Sequence, residues 1–353
     1  MKIFLRDKRL IFVILIVLLI VISIGVIWVL ARHVYSYKSK KQQRPPIKIG
    51  FAMSTLKEER WFFDRKYLID AAKKKGFEVE WTNANENDST QFQQVKYLLS
   101  KGVDVLVIVP SNFDGAKRAI ELAKQKNIPV VCYDRIAMNA DIDAYVSFDN
   151  IEVGRIMAKH LLKKASHGNY VFILGNPKDY NTALIRQGYK EVLDPYIQKG
   201  RIRVLLEDYC YKWKKEYAYE YVAKLLQAGN KIDAILAEND SLAEGAISAL
   251  AEKRLAGKIP VVGQDAELPA CKRVVDGLQS MTVYKPIKKL ADLTVKIVEQ
   301  LTKSGTLPYT KTYFNNSYKM VPAYYIEPIE VTKENLIETI IKDNYHTYNE
   351  IFK

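Results

Sequence analysis

Cysteine and histidine are scarce in this chain, and the familiar catalytic signatures are missing. Its 353 residues include three cysteines, Cys132, Cys210 and Cys271, too scattered to form a disulfide framework. Cys132 and Cys271 read as small core fillers rather than reactive thiols. No cysteine precedes Cys132, so a lipid-modified amino terminus is not expected. The four histidines, His33, His160, His167 and His346, are dispersed and form neither an HExxH motif nor a metal-ligand pair. There is no GxSxG elbow, no Walker loop and no GxGxxG after the first strand, which removes the usual nucleophile and nucleotide signatures. Paired carboxylates exist, but the acids at the strand ends have basic or amide neighbours, which favour ionised acceptors over a proton donor. The expectation is a protein that is not an enzyme, with no cofactor and no metal.

Acidic residues are nearly absent from the amino-terminal end. Residues 1–44 hold nine Lys/Arg against Asp7, a net +8 of the chain's +14, so the remaining 309 residues carry only +6. A mildly basic body on a strongly basic stem does not fit a nucleic-acid binder. The stem has 22 residues without charge, Leu10 to Ala31. As a helix, at ~1.5 Å per residue, they reach ~33 Å, enough to cross a ~30 Å hydrocarbon core. The rival is a cleavable signal peptide, with Val29 and Ala31 as small residues near a cleavage site, but the run exceeds the ~7–15 residues of an ordinary signal core. An uncleaved single-pass anchor is the expectation. Basic residues flank both ends of the span, so charge alone does not orient it.

The stretch from Arg32 to Pro46 is polar, basic and closed by two prolines, and reads as a tether. Beyond it, short apolar runs alternate with helical patterns: "IKIGFAM" from Ile47, "FEVEW" from Phe77, "VDVLVIV" from Val103 and "NIPVVCYDR" from Asn127. A second series follows with "NYVFILG" from Asn169, "IRVLLED" from Ile202, "IDAILA" from Ile232 and "IPVVG" from Ile259. Two blocks of β-α-β-α order predict an α/β protein with two doubly wound parallel-sheet lobes.

Ligands in open α/β sheets bind at the carboxyl ends of the strands. Those ends are polar here: Asp134 and Arg135, the loop Asp179 to Asn181, Asn239 and Asp240, Gln264 and Asp265, and Lys285. Trp61, Phe62 and Trp213 accompany them. Planar amides, carboxylates, a guanidinium fork and flat rings, with opposite charges present together, suit an uncharged polyhydroxy ligand. Each residue also has a structural alternative. Asp240 stands where a helix N-cap is expected, Asp134 and Arg135 could form a surface ion pair, and Trp213 could be core.

The segments "ERW" (Glu59 to Trp61), "GVDVLVIVP" (Gly102 to Pro110), "YDR" (Tyr133 to Arg135), "SFDN" (Ser147 to Asn150), "KIDAILAEND" (Lys231 to Asp240), "GQDAEL" (Gly263 to Leu268) and "MTVYKPI" (Met281 to Ile287) span nearly the whole body. In these, Ile47 to about His346 resembles the type I periplasmic sugar-binding proteins, most closely their D-xylose-binding members. The resemblance implies that Trp61 and Trp213 sandwich a pyranose, and that Arg60, Asp134, Arg135, Asn181, Asn239, Asp265 and Lys285 hold its hydroxyls. It implies two lobes joined by a three-stranded hinge, with crossings near Phe148, Tyr284 and Tyr313. Two departures from the family stand out: Glu238 where a small polar residue is usual, and Tyr180 beside Asn181.

The expected organisation is a cytoplasmic tail (1–9), a transmembrane helix (10–31), a tether (32–46), an N-terminal lobe (47–148 plus 285–312) and a C-terminal lobe (149–284 plus 313–353). A nine-residue tail is too short to signal by itself. The first expectation is therefore a membrane-anchored, extracellular or periplasmic D-xylose sensor whose closed form engages the external domain of a sensor histidine kinase. The alternative is the substrate-binding subunit of a pentose ABC transporter, with a permease as partner.

Overall fold

The computed structural model describes residues 2–41 and 45–353, with side chains from 10–33 and from 45 onward. They form two separate units, one ending at Pro46 and one running from Ile47 to Lys353. The first unit is helix α1, Lys2–Lys41. Its segment Leu10–His33 is long and apolar enough, by length and composition, to cross a membrane. The helix does not stop at Ala31: ten residues of the expected tether, Arg32 to Lys41, continue it. No Gly or Pro interrupts that stretch, and the first helix-breaking pair is Pro45 and Pro46. Residues 42–44 of the tether and Met1 of the tail lie outside the described residues.

The second unit begins with β1 (Lys48–Met53), α2 (Arg60–Lys74), β2 (Glu78–Asn83), α3 (Asp88–Ser100), β3 (Val105–Ile108), α4 (Lys117–Gln125), β4 (Val130–Tyr133) and β5 (Ala144–Phe148). It continues with α5 (Asn150–Lys164), β6 (Gly168–Leu174), α6 (Tyr180–Gln198), β7 (Ile202–Tyr209), α7 (Lys215–Gln227), β8 (Ala234–Ala237), α8 (Asp240–Glu252), β9 (Val261–Gln264), α9 (Leu268–Val275) and β10 (Met281–Tyr284). It ends with α10 (Ile287–Ser304), β11 (Tyr313–Asn315), β12 (Met320–Ile326), β13 (Ile329–Val331) and α11 (Tyr348–Phe352).

Two sheets result, ordered β11-β12-β5-β4-β3-β1-β2 and β13-β10-β9-β8-β6-β7. The first five strands of each lobe repeat one doubly wound order, 2-1-3-4-5, with parallel pairing. In such an order the first strand is the switch point, where the loops part and open a crevice. The inner strands β3, β4, β8, β9 and β10 are buried throughout, which is why their sequences run apolar without alternation. Helices cover both faces of both sheets: Leu98, Ile120 and Cys132 pack under one face of the first, Leu68, Val107 and Leu290 under the other. All three cysteines are buried and free.

The chain changes sheet three times, after Phe148, between Tyr284 and Ile287, and between Ile326 and Ile329. The third passage was expected near Tyr313 and lies instead at Glu327 and Pro328. Strand β11 folds back on β12 as an antiparallel hairpin, pairing Tyr313 with Pro322, and β12 then runs parallel to β5 in the first sheet. Residues 313–326 therefore belong to the N-terminal lobe, and only β13 joins the second sheet, antiparallel to β10. The closing segment packs Leu336, Ile340, Tyr345 and Ile351 into the same cluster as Leu68 and Leu290 of the first lobe.

Candidate functional site

The carboxyl ends of both sheets face one another, and all nine expected site residues line the single space between them. Arg60 and Trp61 open α2 after the β1 loop, and Asp134 and Arg135 follow β4. From the second lobe come Asn181 in the first turn of α6, Trp213 in a short 3-10 turn after β7, Asn239 after β8, Asp265 after β9 and Lys285 after β10. Every one is at most 5% exposed, so the two lobes are closed over the site.

A buried ionic lattice joins the lobes. Arg60 donates through Nη2 to Asp134 Oδ2 at 2.6 Å and through Nε to Asp64 Oδ2 at 3.1 Å, and Nη1 lies 3.5 Å from Asp265 Oδ1. Lys285 Nζ stands 2.7 Å from the same Asp265 oxygen. Arg135 faces Asp179 Oδ2 at 2.6 Å and donates to Ser54 Oγ at 3.1 Å. Burial alone would raise the Asp134 carboxyl, but Arg60, Lys285 and Arg135 outweigh it and hold Asp134 below the ordinary range. Asp64 shares Arg60 yet is pushed up, because burial dominates there. Burial likewise opposes the Arg60 charge, and the three carboxylates around it still raise its pKa well above normal. Each cation is thus matched to an acid without any ligand.

Asp134 is also fixed through its backbone. Its carbonyl accepts from Ser147 Oγ at 2.6 Å and Tyr145 OH at 3.2 Å, while Asn181 Nδ2 reaches across the lobes to Oδ1 at 3.2 Å. Asp134, Trp213 and Asp265 all adopt left-handed φ, at 62°, 53° and 99°. Asp tolerates that region, but for Trp213 it is an outlier of the kind that costs ~1–3 kcal/mol and persists only where neighbours enforce it. Gly175 is one such neighbour. A Cβ there would lie 2.1 Å from Trp213 Cη2, so the indole lies directly on the glycine backbone.

Several buried polar atoms around this space have no hydrogen-bond partner in the protein. Trp213 Nε1 and Gln264 Oε1 are bare, whereas Glu58 Oε1, Asp265 Oδ1 and Arg135 Nε have charged neighbours but no aligned hydrogen bond. Bare buried polar groups cost ~1–3 kcal/mol each, and their collection on one surface is characteristic of a site that completes its bonding with a guest.

Comparison with known proteins supplies the family. A family profile described as "Periplasmic binding protein domain" matches residues 49–306. This chain belongs to that family. It is 43% identical over 307 residues to the D-xylose-binding periplasmic protein of Haemophilus influenzae, covering 87% of this chain and 92% of the relative. The Escherichia coli protein of the same description is 42% identical over 306 residues, covering 86% and 92%. An ABC transporter solute-binding protein from Clostridium phytofermentans, solved with bound β-D-glucose, superposes with a TM-score of 0.80 at 29% identity, covering 86% of this chain and 99% of that one. The fold is the two-lobed type I periplasmic binding protein fold, and proteins of this family bind solutes rather than catalyse reactions.

The site of this periplasmic binding protein includes three residues beyond the nine: Glu58, Asp179 and Gln264. Asp179 caps α6, accepting from Asn181 N–H, and Gln264 ends β9, so both stood among the polar strand ends. Glu58 carried no such signal; it enters because Trp61 Nε1 donates to it at 3.1 Å. The N-cap of α8 is Asn239, whose Oδ1 accepts from Leu242 N–H at 2.8 Å. Asp240 instead ties three elements together, accepting from Gln279, Thr282 and the Glu267 N–H. Burial, the largest cause, pushes its carboxyl up to about 7. Tyr180 crosses between the lobes to pack edge-on against Phe113 and Phe314 of the first, at 5.7 and 5.9 Å.

Proposed function

We propose that this protein binds a neutral monosaccharide, a pentopyranose of the D-xylose type, between its lobes and delivers it to an ABC transporter permease. The observation that carries the reading is the set of unpartnered buried polar atoms on a space whose formal charges are already paired. A charged ligand would upset that balance, whereas a ring of hydroxyls would satisfy it. Arg60, Asp134, Arg135, Asn181, Asn239, Asp265 and Lys285 offer donors and acceptors to the hydroxyls, and Trp61 and Trp213 cover the C–H faces. The names of the two D-xylose-binding relatives support the pentose. Closure follows if sugar binds the closed arrangement more tightly than the open one.

We infer further that Leu10–His33 is an uncleaved anchor holding the body at the outer face of the cell membrane. The long apolar helix behind that inference is what favours the second reading, a sugar sensor that engages a histidine kinase. The transporter comes first because one structural relative is described as an ABC transporter solute-binding protein and another as a carbohydrate transporter solute-binding protein. Gene deletion separates the two. Loss of initial D-xylose uptake supports the transporter; intact uptake with loss of xylose-induced transcription overturns it in favour of the sensor. Amino-terminal sequencing of the membrane-extracted protein tests the anchor, which requires residues 10–31 to be retained.

A further inference from the structure

Behind the site, Glu238 is fully buried at the end of β8. Its Oε2 accepts from the Gly175 N–H at 2.7 Å, its own N–H donates to Ile173 O at 3.0 Å, and its carbonyl accepts from Gln264 Nε2 at 2.6 Å. The next residue is Asn239. Gly175 is the floor under Trp213, since any side chain there would run into the indole. The same floor is bonded to the turn carrying that indole: Cys210 N–H donates to Leu174 O and Gly175 O, and Trp213 N–H donates to Cys210 O at 2.9 Å. One residue therefore joins the ends of β6, β8 and β9, through its backbone to Ile173 and Gln264 and through its side chain to Gly175.

We propose that Glu238 is a positioning residue for the sugar site, its carboxyl holding Gly175 in place beneath the Trp213 ring and so setting the height of the indole platform. The proposal rests on the sugar-binding reading above and adds a residue that does not touch the sugar. Its Oε1 is buried beside Thr182 with no aligned hydrogen bond. The other groups acting on it are Asp179 at the head of α6, Glu207 on β7, Tyr189 on α6 and Cys210 after β7. Glu207 is already occupied by Arg186 at 2.7 Å. Burial, the largest cause, together with Asp179 and Glu207, pushes the Glu238 carboxyl well above the ordinary range, against the Gly175 N–H and the Thr182 hydroxyl. Burial and the neighbouring acids thus favour the neutral acid, while the Gly175 N–H bond itself favours the charged form; in either form the carboxyl oxygen accepts from Gly175.

Calorimetric titration of the full chain in detergent with D-xylose compares wild type with Glu238→Gln and Glu238→Ala. Absence of wild-type binding would overturn the sugar reading itself. With binding present, Glu238→Gln, which keeps an acceptor for the Gly175 N–H, stays within about twofold of wild type, and Glu238→Ala is about tenfold weaker. A Gln variant as weak as the Ala variant, or an Ala variant as tight as wild type, overturns the proposal. Tryptophan emission without sugar reads the platform independently of binding. It shifts in Glu238→Ala and not in Glu238→Gln, and the shift is lost when Trp213→Phe is added to Glu238→Ala; an unshifted Ala variant, or a shift that survives Trp213→Phe, counts against the assignment.

Discussion

The two lobes repeat one strand order yet bring different chemistry to the space between them. The N-terminal lobe supplies the guanidinium groups, Arg60 and Arg135, with Asp64 and Asp134 beside them, and its charges are paired within the protein. The C-terminal lobe supplies amides and an indole, and its Gln264 Oε1 and Trp213 Nε1 are the atoms with no protein partner. Arg60 is paired inside its own lobe to Asp64 and Asp134, while Arg135 with Asp179 and Lys285 with Asp265 carry the pairing into the second lobe, which alone also presents the bare neutral atoms. The difference teaches that two lobes of one strand order divide the chemistry unequally, guanidinium groups on one side and unpartnered amide and indole atoms on the other, although both lobes have acids and a tryptophan at the site.

Breaking the charged half should have the largest effect. Asp134→Ala takes from Arg60 its 2.6 Å partner, leaving Asp64 and Asp265, and from Asn181 its side-chain acceptor, and loss of one partner of a buried pair costs ~3–5 kcal/mol. A much lower melting temperature and loss of measurable sugar binding are expected, read by calorimetry. Breaking the neutral half should leave the fold largely intact. Trp213→Ala is expected to weaken D-xylose binding at least tenfold, ~1.4 kcal/mol, with little change in melting temperature. Gly175→Ala attacks the same platform from below: its new methyl must displace the indole at an overpacking cost of ~1–3 kcal/mol, and affinity falls by roughly tenfold with Trp213 still present. The smallest effect belongs to the contact that joins the halves. Tyr180→Ala removes two edge-on aromatic pairs between the lobes, worth ~0.5–1.5 kcal/mol each. Affinity falls about threefold to tenfold, and stopped-flow kinetics place the change in the dissociation rate.

Much of this was legible in the residues. Inner strands such as "VLVI" and "VVCY" show their place because both faces are buried, and the rule of carboxyl strand ends gathered nine site residues into one space. Glu58 was not legible, since it lies in a loop and stands at the site beside the Trp61 indole only once the chain is folded. The third crossing was misplaced because "YFN" and "MVPAYYI" read as strands in any sheet; only the hairpin register and the pairing of β12 with β5 assign them to the first lobe. The helical continuation past Ala31 was hidden by polar composition, which resembles a linker although nothing in it breaks a helix. Glu238 stood out as a departure from its relatives, but its bond to Gly175 depends on neighbouring strands brought together by folding.

The central claim is that the space between the lobes takes one neutral pentose through paired charges supplied by both lobes and the bare amide and indole atoms of the second. Calorimetric titration of the full chain in detergent with D-xylose, D-ribose, L-arabinose and D-glucose tests it most directly. The account predicts one site per chain, tightest for D-xylose and weakened at least tenfold by Trp213→Ala. No heat with any of the four sugars, or D-xylose binding that Trp213→Ala and Asp134→Ala both leave unchanged, would contradict it.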